Sequence, residues 1–282
     1  LPGEKKGDKT SEEYRLPENE VCVFWRKFAV RKKMDGNSLG QWNDRQRLLV
    51  KDRGIERLAR AHVLVVGLGG VGGFAAEFLA RAGIGRLTLV DADTVSPTNL
   101  NRQIAALTST LGQPKVEVIA RRLSEINPSL HLELIERFLQ PEQAYALPEA
   151  KYDYVADCID SLSPKLELIR ACMDKKIPLV SAMGAGGRLD PAAVRVADIS
   201  KSHNCPLARS IRKRLSQLTG RKPRGFYAVY SEELPDETSM RTVEGEAFKR
   251  SYYGTISYMP ALFGLHAAAH ILRSLLREDS TE

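Results

Sequence analysis

From residue 62 the chain alternates short β-branched and aliphatic runs with longer stretches of helical spacing. Strands are predicted at HVLVVG (62–67), RLTLVD (86–91), HLELIER (131–137), YDYVADC (152–158) and PLVSAM (178–183). Helices are predicted between them at 71–82, at PKVEVIARRLSEIN (114–127) and at PKLELIRACMDKK (164–176). Pro114 and Pro164 suit a first helical turn, where the missing N–H would have had no partner. Strand and helix in regular succession predict an α/β fold with a doubly wound, mostly parallel sheet of Rossmann-like type.

Beyond residue 190 the regularity weakens. RVADI and FYAVYS read as strands, and CPLARSIRKRLSQL (205–218) reads as a basic amphipathic helix. The apolar stretch 258–276 contains His266, His270 and Arg273 and is expected to be a buried helix rather than a membrane span. Residues 1–41 are charged and poorly periodic, and MDGNSLGQW from Met34 reads as a second start, so this segment is expected to stand outside the fold. The predicted organisation is one α/β domain over 42–200 and a C-terminal extension, 201–282, packed on it.

Composition changes this picture little. The 43% hydrophobic and 27% charged residues are ordinary for a globular chain and exclude disordered or fibrous classes. Four cysteines, Cys22, Cys158, Cys172 and Cys205, form no CxxC pair, which speaks for a reducing cytoplasm and against a zinc ribbon. No secretory signal is visible at the N-terminus. The net charge of +7 is placed unevenly: Lys201, Arg209, Arg212, Lys213, Arg214, Arg221, Lys222 and Arg224 fall in 201–224, which has no Asp or Glu. Such a segment attracts nucleic-acid phosphates regardless of sequence.

The chemistry starts at GLGGVG (67–72), directly after a predicted strand. Gly67, Gly69, Gly70 and Gly72 would let the backbone approach phosphates, with the N–H groups of the following helix turned toward the charge. Asp91, ending the next strand, is placed to accept ribose hydroxyls. That much suits a dinucleotide and ATP equally. Asn99, Arg102 and Lys115 decide between them, because a triphosphate losing pyrophosphate needs cations where charge accumulates and a hydride carrier does not. Asp160, in DCID just past a strand end, can hold Mg²⁺ against phosphate oxygens, whereas Asp157 inside the strand reads as structural.

GLGGVG, DxDxVxxxNxxRQ, GQPK and DCID in this order resemble the ubiquitin-activating and ThiF-type adenylyltransferase superfamily over roughly residues 42–200. The resemblance implies that Asp91 binds ribose, that Asn99, Arg102 and Lys115 hold the triphosphate and that Asp160 is associated with magnesium. It also implies a homodimer, in which Arg45 of WNDRQRLL reaches the neighbouring subunit's site. Residues 181–215, SAMGAGGRLDPAAVRVADISKSHNCPLARSIRKRL, and SEELP (231–235) resemble the branch that acts on threonylcarbamoyladenosine in tRNA. The expected reaction is adenylation of the threonyl carboxylate by ATP, then ring closure with loss of water overall. A sulfur-transfer protein is a further expected partner. The rival reading is activation of the C-terminal Gly-Gly of a ubiquitin-like or sulfur-carrier protein, with Cys205 as acceptor or with release of the acyl adenylate to a sulfur donor.

Overall fold

The computed structural model describes residues 26–28, 42–242 and 251–277. Apart from Arg26–Phe28, the N-terminal extension and Met34 lie outside the described residues. The elements are β1 (Arg26–Phe28), α1 (Asp44–Arg60), β2 (His62–Val66), α2 (Gly72–Arg81), β3 (Arg86–Asp91), α3 (Lys115–Ile126), β4 (His131–Glu136), α4 (Pro141–Ala146), β5 (Tyr154–Asp157), α5 (Leu162–Asp174), β6 (Leu179–Ala182), β7 (Val194–Asp198), α6 (Pro206–Thr219), β8 (Tyr227–Ser231), β9 (Met240–Thr242), β10 (Ser251–Tyr253) and α7 (Tyr258–Leu276).

One sheet has the strand order β1-β4-β3-β2-β5-β6-β8-β7, and β9 pairs with β10 separately. Its interior pairs are parallel, while β1 and β7 close the two edges antiparallel. This is the doubly wound sheet that the pattern predicts. Every residue of β2 is buried, because a central parallel strand is covered on both faces. Val63, Val65, Leu87 and Leu89 belong to the core shared with α2, α3 and α7, whereas Leu64, Val66 and Val90 belong to the core shared with α5 and α6. From β2 the chain winds outward to β3 and β4, then returns to place β5 on the other side of β2. The switch point, where open α/β sheets bind ligands, therefore lies at the carboxyl ends of β2 and β5.

The residues after 200 join the same sheet, with β8 inserted between β6 and β7. The helix at 258–276 has a length and composition that would also suit a membrane span, but it lays Met259, Phe263, Ala267, Ala268 and Ile271 into the core beside α2. Two helices, α1 and α4, carry no element in the sequence reading. In α1 the regular period is broken at Lys51, whose φ of 61° interrupts the helix.

Below the switch point lies a buried ion pair. Asp157 ends β5, and its Oδ2 meets Lys165 Nζ at 2.7 Å with both side chains fully buried. Ser181 Oγ donates to the same oxygen at 2.5 Å, and Lys165 Nζ also donates to Ile159 O at 3.0 Å. The structural reading of Asp157 holds, and its partner is a lysine on α5. Breaking such a pair strands a charge in the core, whereas removing both partners does not. Lys165→Met is expected to lower unfolding stability by ~3–5 kcal/mol in urea titration, and Lys165→Met with Asp157→Leu by clearly less. Equal losses in the two variants would show that the pair carries no charge compensation.

Candidate active site

The glycine turn is shaped first by crowding. A Cβ at Gly72 would lie 1.7 Å from Gly67 O, one at Gly67 (φ +88°) 2.8 Å from Cys158 O, and one at Gly70 2.9 Å from Pro260 Cβ. These three glycines are thus required by the packing of β2, the loop after β5 and α7. Gly69 differs, since its nearest neighbour would be Gln103 Nε2 at 3.7 Å. It alone of the four leaves an open face. The N–H of Gly67 is committed to Val90 O at 2.8 Å and that of Leu68 to Asp91 Oδ2 at 2.6 Å. A phosphate would therefore meet the turn beyond Leu68, at the start of α2, where helix N–H groups lack intrahelical partners.

Asp91 pins this turn from the neighbouring strand. Its other oxygen accepts from Asp93 N at 2.8 Å, so about two of its four or so acceptor positions remain for ribose hydroxyls. Burial pushes its carboxyl above the usual range, and the nearby Lys115 charge pulls it back. Lys115, buried at the start of α3, places Nζ 2.7 Å from Asp93 Oδ2. Asp93 is mostly exposed, leaving the lysine charge only partly compensated. In the sequence Asp93 is the second aspartate of DxDxVxxxNxxRQ, and only the fold shows that it holds Lys115.

The loop 94–103 brings the remaining polar groups to the same edge. Asn99 is buried and its Oδ1 accepts from Ser96 N at 3.1 Å, closing the turn at Pro97–Asn99. Arg102 is half-buried, with Nη1 bonded to Thr98 O at 2.8 Å and Asn101 Oδ1 at 2.9 Å. Gln103 was missed as a site residue. Its side-chain amide sits beside Gly69, and its Oε1 is buried without a hydrogen-bond partner among the described residues. A buried polar group unused by the fold points to a ligand contact; the available signal was its place after Asn99 and Arg102 in NLNRQ.

Asp160 stands exposed on the loop between β5 and α5, at the switch point. Among the described residues there is no group of three or more His, Cys, Asp or Glu fit to hold a metal. A single carboxylate suits magnesium, which draws its other ligands from phosphate oxygens and water. Arg45 is not brought to this edge within the chain. Trp42 lies 3.7 Å from the Cβ position of Gly83, and Gln46 Nε2 donates to Ala82 O at 2.8 Å, so α1 starts at the far end of α2. A ten-residue helix separates it from the glycine turn by ~15 Å.

Two features of the C-terminal half prove to serve the fold. Gly186 and Gly187 of the GAGG turn are crowded by Tyr253 and Pro235, so their small size serves packing rather than close substrate approach. Arg188 is buried beneath that turn and spends its guanidinium on the carbonyls of Gly184, Gly186, Asn204 and Glu233 at 2.5–3.1 Å. Cys205 is buried where α6 begins, which removes it as an exposed thiol acceptor.

The profile of the ThiF family matches residues 43–282. The tRNA threonylcarbamoyladenosine dehydratase of Escherichia coli is 40% identical over 249 residues, covering 83% of this chain and 93% of that protein. A crystal structure of the same Escherichia coli enzyme in complex with ATP superposes with a TM-score of 0.77 at 36% identity, covering 86% of this chain and 97% of that one. Molybdopterin-synthase adenylyltransferase of Escherichia coli is 43% identical, but over 137 residues that span 49% of this chain and 54% of that protein.

The crowding separates two glycines that look alike in sequence. Gly72→Ala is expected to cost ~1–3 kcal/mol, because the backbone of the turn must shift, while Gly69→Ala leaves thermal unfolding unchanged and weakens nucleotide binding. Differential scanning calorimetry with nucleotide titration on both variants checks this, and equal unfolding temperatures would overturn it.

Proposed function

The chain belongs to the ThiF family, and we propose that within it the protein is an ATP-dependent enzyme that dehydrates threonylcarbamoyladenosine in tRNA to its cyclic form. The observation that carries this reading is the extent of the match: likeness to the Escherichia coli dehydratase runs through the C-terminal half, whereas likeness to the adenylyltransferase covers about half of the chain. ATP and tRNA as substrates support a cytoplasmic location.

A carboxylate resists attack because it is anionic and oxide does not leave. In the proposed sequence a threonyl carboxylate oxygen attacks the α-phosphorus of ATP, a new O–P bond forms and the bond to pyrophosphate breaks. Asp91 holds the ribose, the start of α2 and Gln103 face the phosphates, and Arg102, Lys115 and Asn99 meet the charge that gathers on the leaving group. Mg²⁺, held by Asp160 and phosphate oxygens, would supply further charge neutralisation there. The threonylcarbamoyl group then attacks its own activated carbonyl and AMP departs, carrying the carboxylate oxygen that counts as the lost water. Because this second step is intramolecular, orientation and exclusion of solvent suffice and no protein nucleophile is needed. The burial of Cys205 fits that economy and weakens the rival reading in which it accepts an acyl group.

Arg45 is supplied by a second copy in this scheme. Its distance from the glycine turn of its own chain supports this, as do Leu48 and Leu49, which are 75% and 82% exposed on the same helix. A symmetric dimer would cover them and give each site one arginine from the partner. A sulfur-transfer protein remains part of the proposal through the resemblance alone.

Incubating the protein with ATP, Mg²⁺ and tRNA carrying threonylcarbamoyladenosine, followed by mild nucleoside mass spectrometry, is expected to show loss of one water from that nucleoside and stoichiometric AMP. An unchanged nucleoside despite ATP binding would overturn the reading. Arg45→Ala and Lys115→Ala are each expected to lower turnover by at least ~100-fold. Randomly mixed dimers of the two variants are expected to recover about a quarter of wild-type activity, since half of the dimers then contain one intact site. No recovery on mixing would place Arg45 outside the shared site.

A further inference from the structure

The basic segment 201–224 is split by the fold into two parts with different surroundings. α6 starts beside Asn204, whose carbonyl accepts from Arg188 at the carboxyl edge of the sheet. It ends at Gly220 (φ +66°), close to the opposite edge. The helix is 14 residues long, a run of ~21 Å. Ala208, Ile211 and Leu215 face the core, and Arg209, Lys213 and Arg214 are exposed. The cations therefore form a track from the adenylation edge to the amino-terminal edge.

At that far edge the track meets an aromatic pair. Tyr227, first residue of β8, is 41% exposed, and its ring lies 4.1 Å from that of His270, centroid to centroid. His270 Nε2 is in turn 3.0 Å from Tyr154 OH, which fixes the imidazole. Beside Tyr227 opens a cavity of about 470 Å³ that Arg224 and Lys176 also line. An adjoining cleft of about 740 Å³ carries Arg221, Lys222 and Arg224. Its wall includes Asp174, which accepts from Tyr145 OH at 3.1 Å. The loop is held in place, with Gly225 N donating to Asp198 Oδ2 at 2.7 Å and Ile199 N to Phe226 O at 3.0 Å.

An aromatic ring supported on a second ring, partly open and flanked by cations at the end of a basic track, has the composition of a single-stranded nucleic-acid site. We propose that Tyr227 stacks on an unpaired base of the RNA substrate, while Arg224 and Lys176 take the adjacent phosphates. The RNA thus touches the protein at two places, the adenylation edge and a platform one helix length away. This inference rests on the tRNA reading above and adds to it a second, non-catalytic contact. Arg221, Lys222, Arg224 and Lys176 around this aromatic surface favour a polyanion over a protein partner.

The test is fluorescence anisotropy with labelled tRNA carrying threonylcarbamoyladenosine, on wild type, Tyr227→Ala and Tyr227→Trp, with ATP affinity by calorimetry alongside. Tyr227→Ala is expected to weaken tRNA binding by roughly ten-fold with ATP affinity unchanged, and Tyr227→Trp is expected to restore it. Arg224→Glu is expected to weaken binding and to flatten its dependence on salt. Wild-type dehydration of the tRNA with unaltered binding by Tyr227→Ala would overturn the platform and leave the function standing. Failure of the wild type itself to bind or convert the tRNA would overturn both. A weakened Tyr227→Ala that Tyr227→Trp does not rescue would also remove stacking as the cause.

Discussion

No side chain fits at Gly67, Gly70 and Gly72, where the chain leaves β2, and the arrangement of the site follows from that. The turn brings Gly72 against Gly67 O, Gly67 against Cys158 O and Gly70 against Pro260. α7 closes over the same point, with Val71 O only 2.3 Å from a Cβ at Gly264. Three segments distant in sequence thus meet within one van der Waals layer. Because their backbones touch, the phosphate-facing turn, the loop carrying Asp160 and the entry to α2 have fixed relative positions before any ligand arrives, which is what electrostatic stabilisation of a transition state requires.

Charge is distributed around this contact according to solvent access. DCID contains two aspartates with opposite fates. Asp157 points into the core and is neutralised by Lys165, so it holds the strand end rather than a ligand. Asp160, three residues on, has left the sheet and stands exposed where a hydrated metal ion can reach it. Asp91 is intermediate: half-buried, and answered by two backbone N–H groups and by the charge of Lys115. The Lys165 amine also binds Ile159 O, so the structural ion pair orients the very loop that presents Asp160. A buried pair of this kind adds little net stability, and its value here lies in geometry.

The sheet was legible because buried parallel strands and amphipathic helices leave strong periodic traces, as in HVLVV and in the Val116, Ile119, Ala120 and Leu123 stripe of α3. Asp91, Asn99, Arg102, Lys115 and Asp160 were readable from motif spacing, and the structure sets them around the carboxyl edge of the sheet. Arg45 came from the resemblance alone: its chain carries it to the far end of α2, and no local pattern marks a residue proposed to act across a subunit boundary. Lys165 and Arg188 escaped for another reason. A lysine on an amphipathic helix and an arginine after glycines both read as solvated, and only long-range folding shows that each is sealed among acceptors. Gly67 and Gly72 were read for phosphate approach, when the tighter demand comes from neighbouring backbone. The same limit hid the Tyr227 and His270 pair, whose members are far apart in sequence and meet only because α7 crosses beside β8.

The C-terminal half is not an appendage that could be exchanged without consequence. β8 sits inside the sheet, and the segment preceding α7 ties the two halves together: Gly254 O accepts from Gly187 N at 2.8 Å and Thr255 O from Asn101 Nδ2 at 3.0 Å. The first of these bonds reaches the turn that Arg188 supports, and the second reaches the loop of Asn99, Arg102 and Gln103. Pro260 then presses on Gly70. The C-terminal half is therefore continuous, through a handful of backbone and side-chain bonds, with the loop and turn at the carboxyl edge of the sheet. The glycine turn and the loop of Asn99, Arg102 and Gln103 thus share a wall with the C-terminal half, so a change of sequence there can reshape the site through Pro260, Gly254 and Thr255 while the site's own residues stay the same.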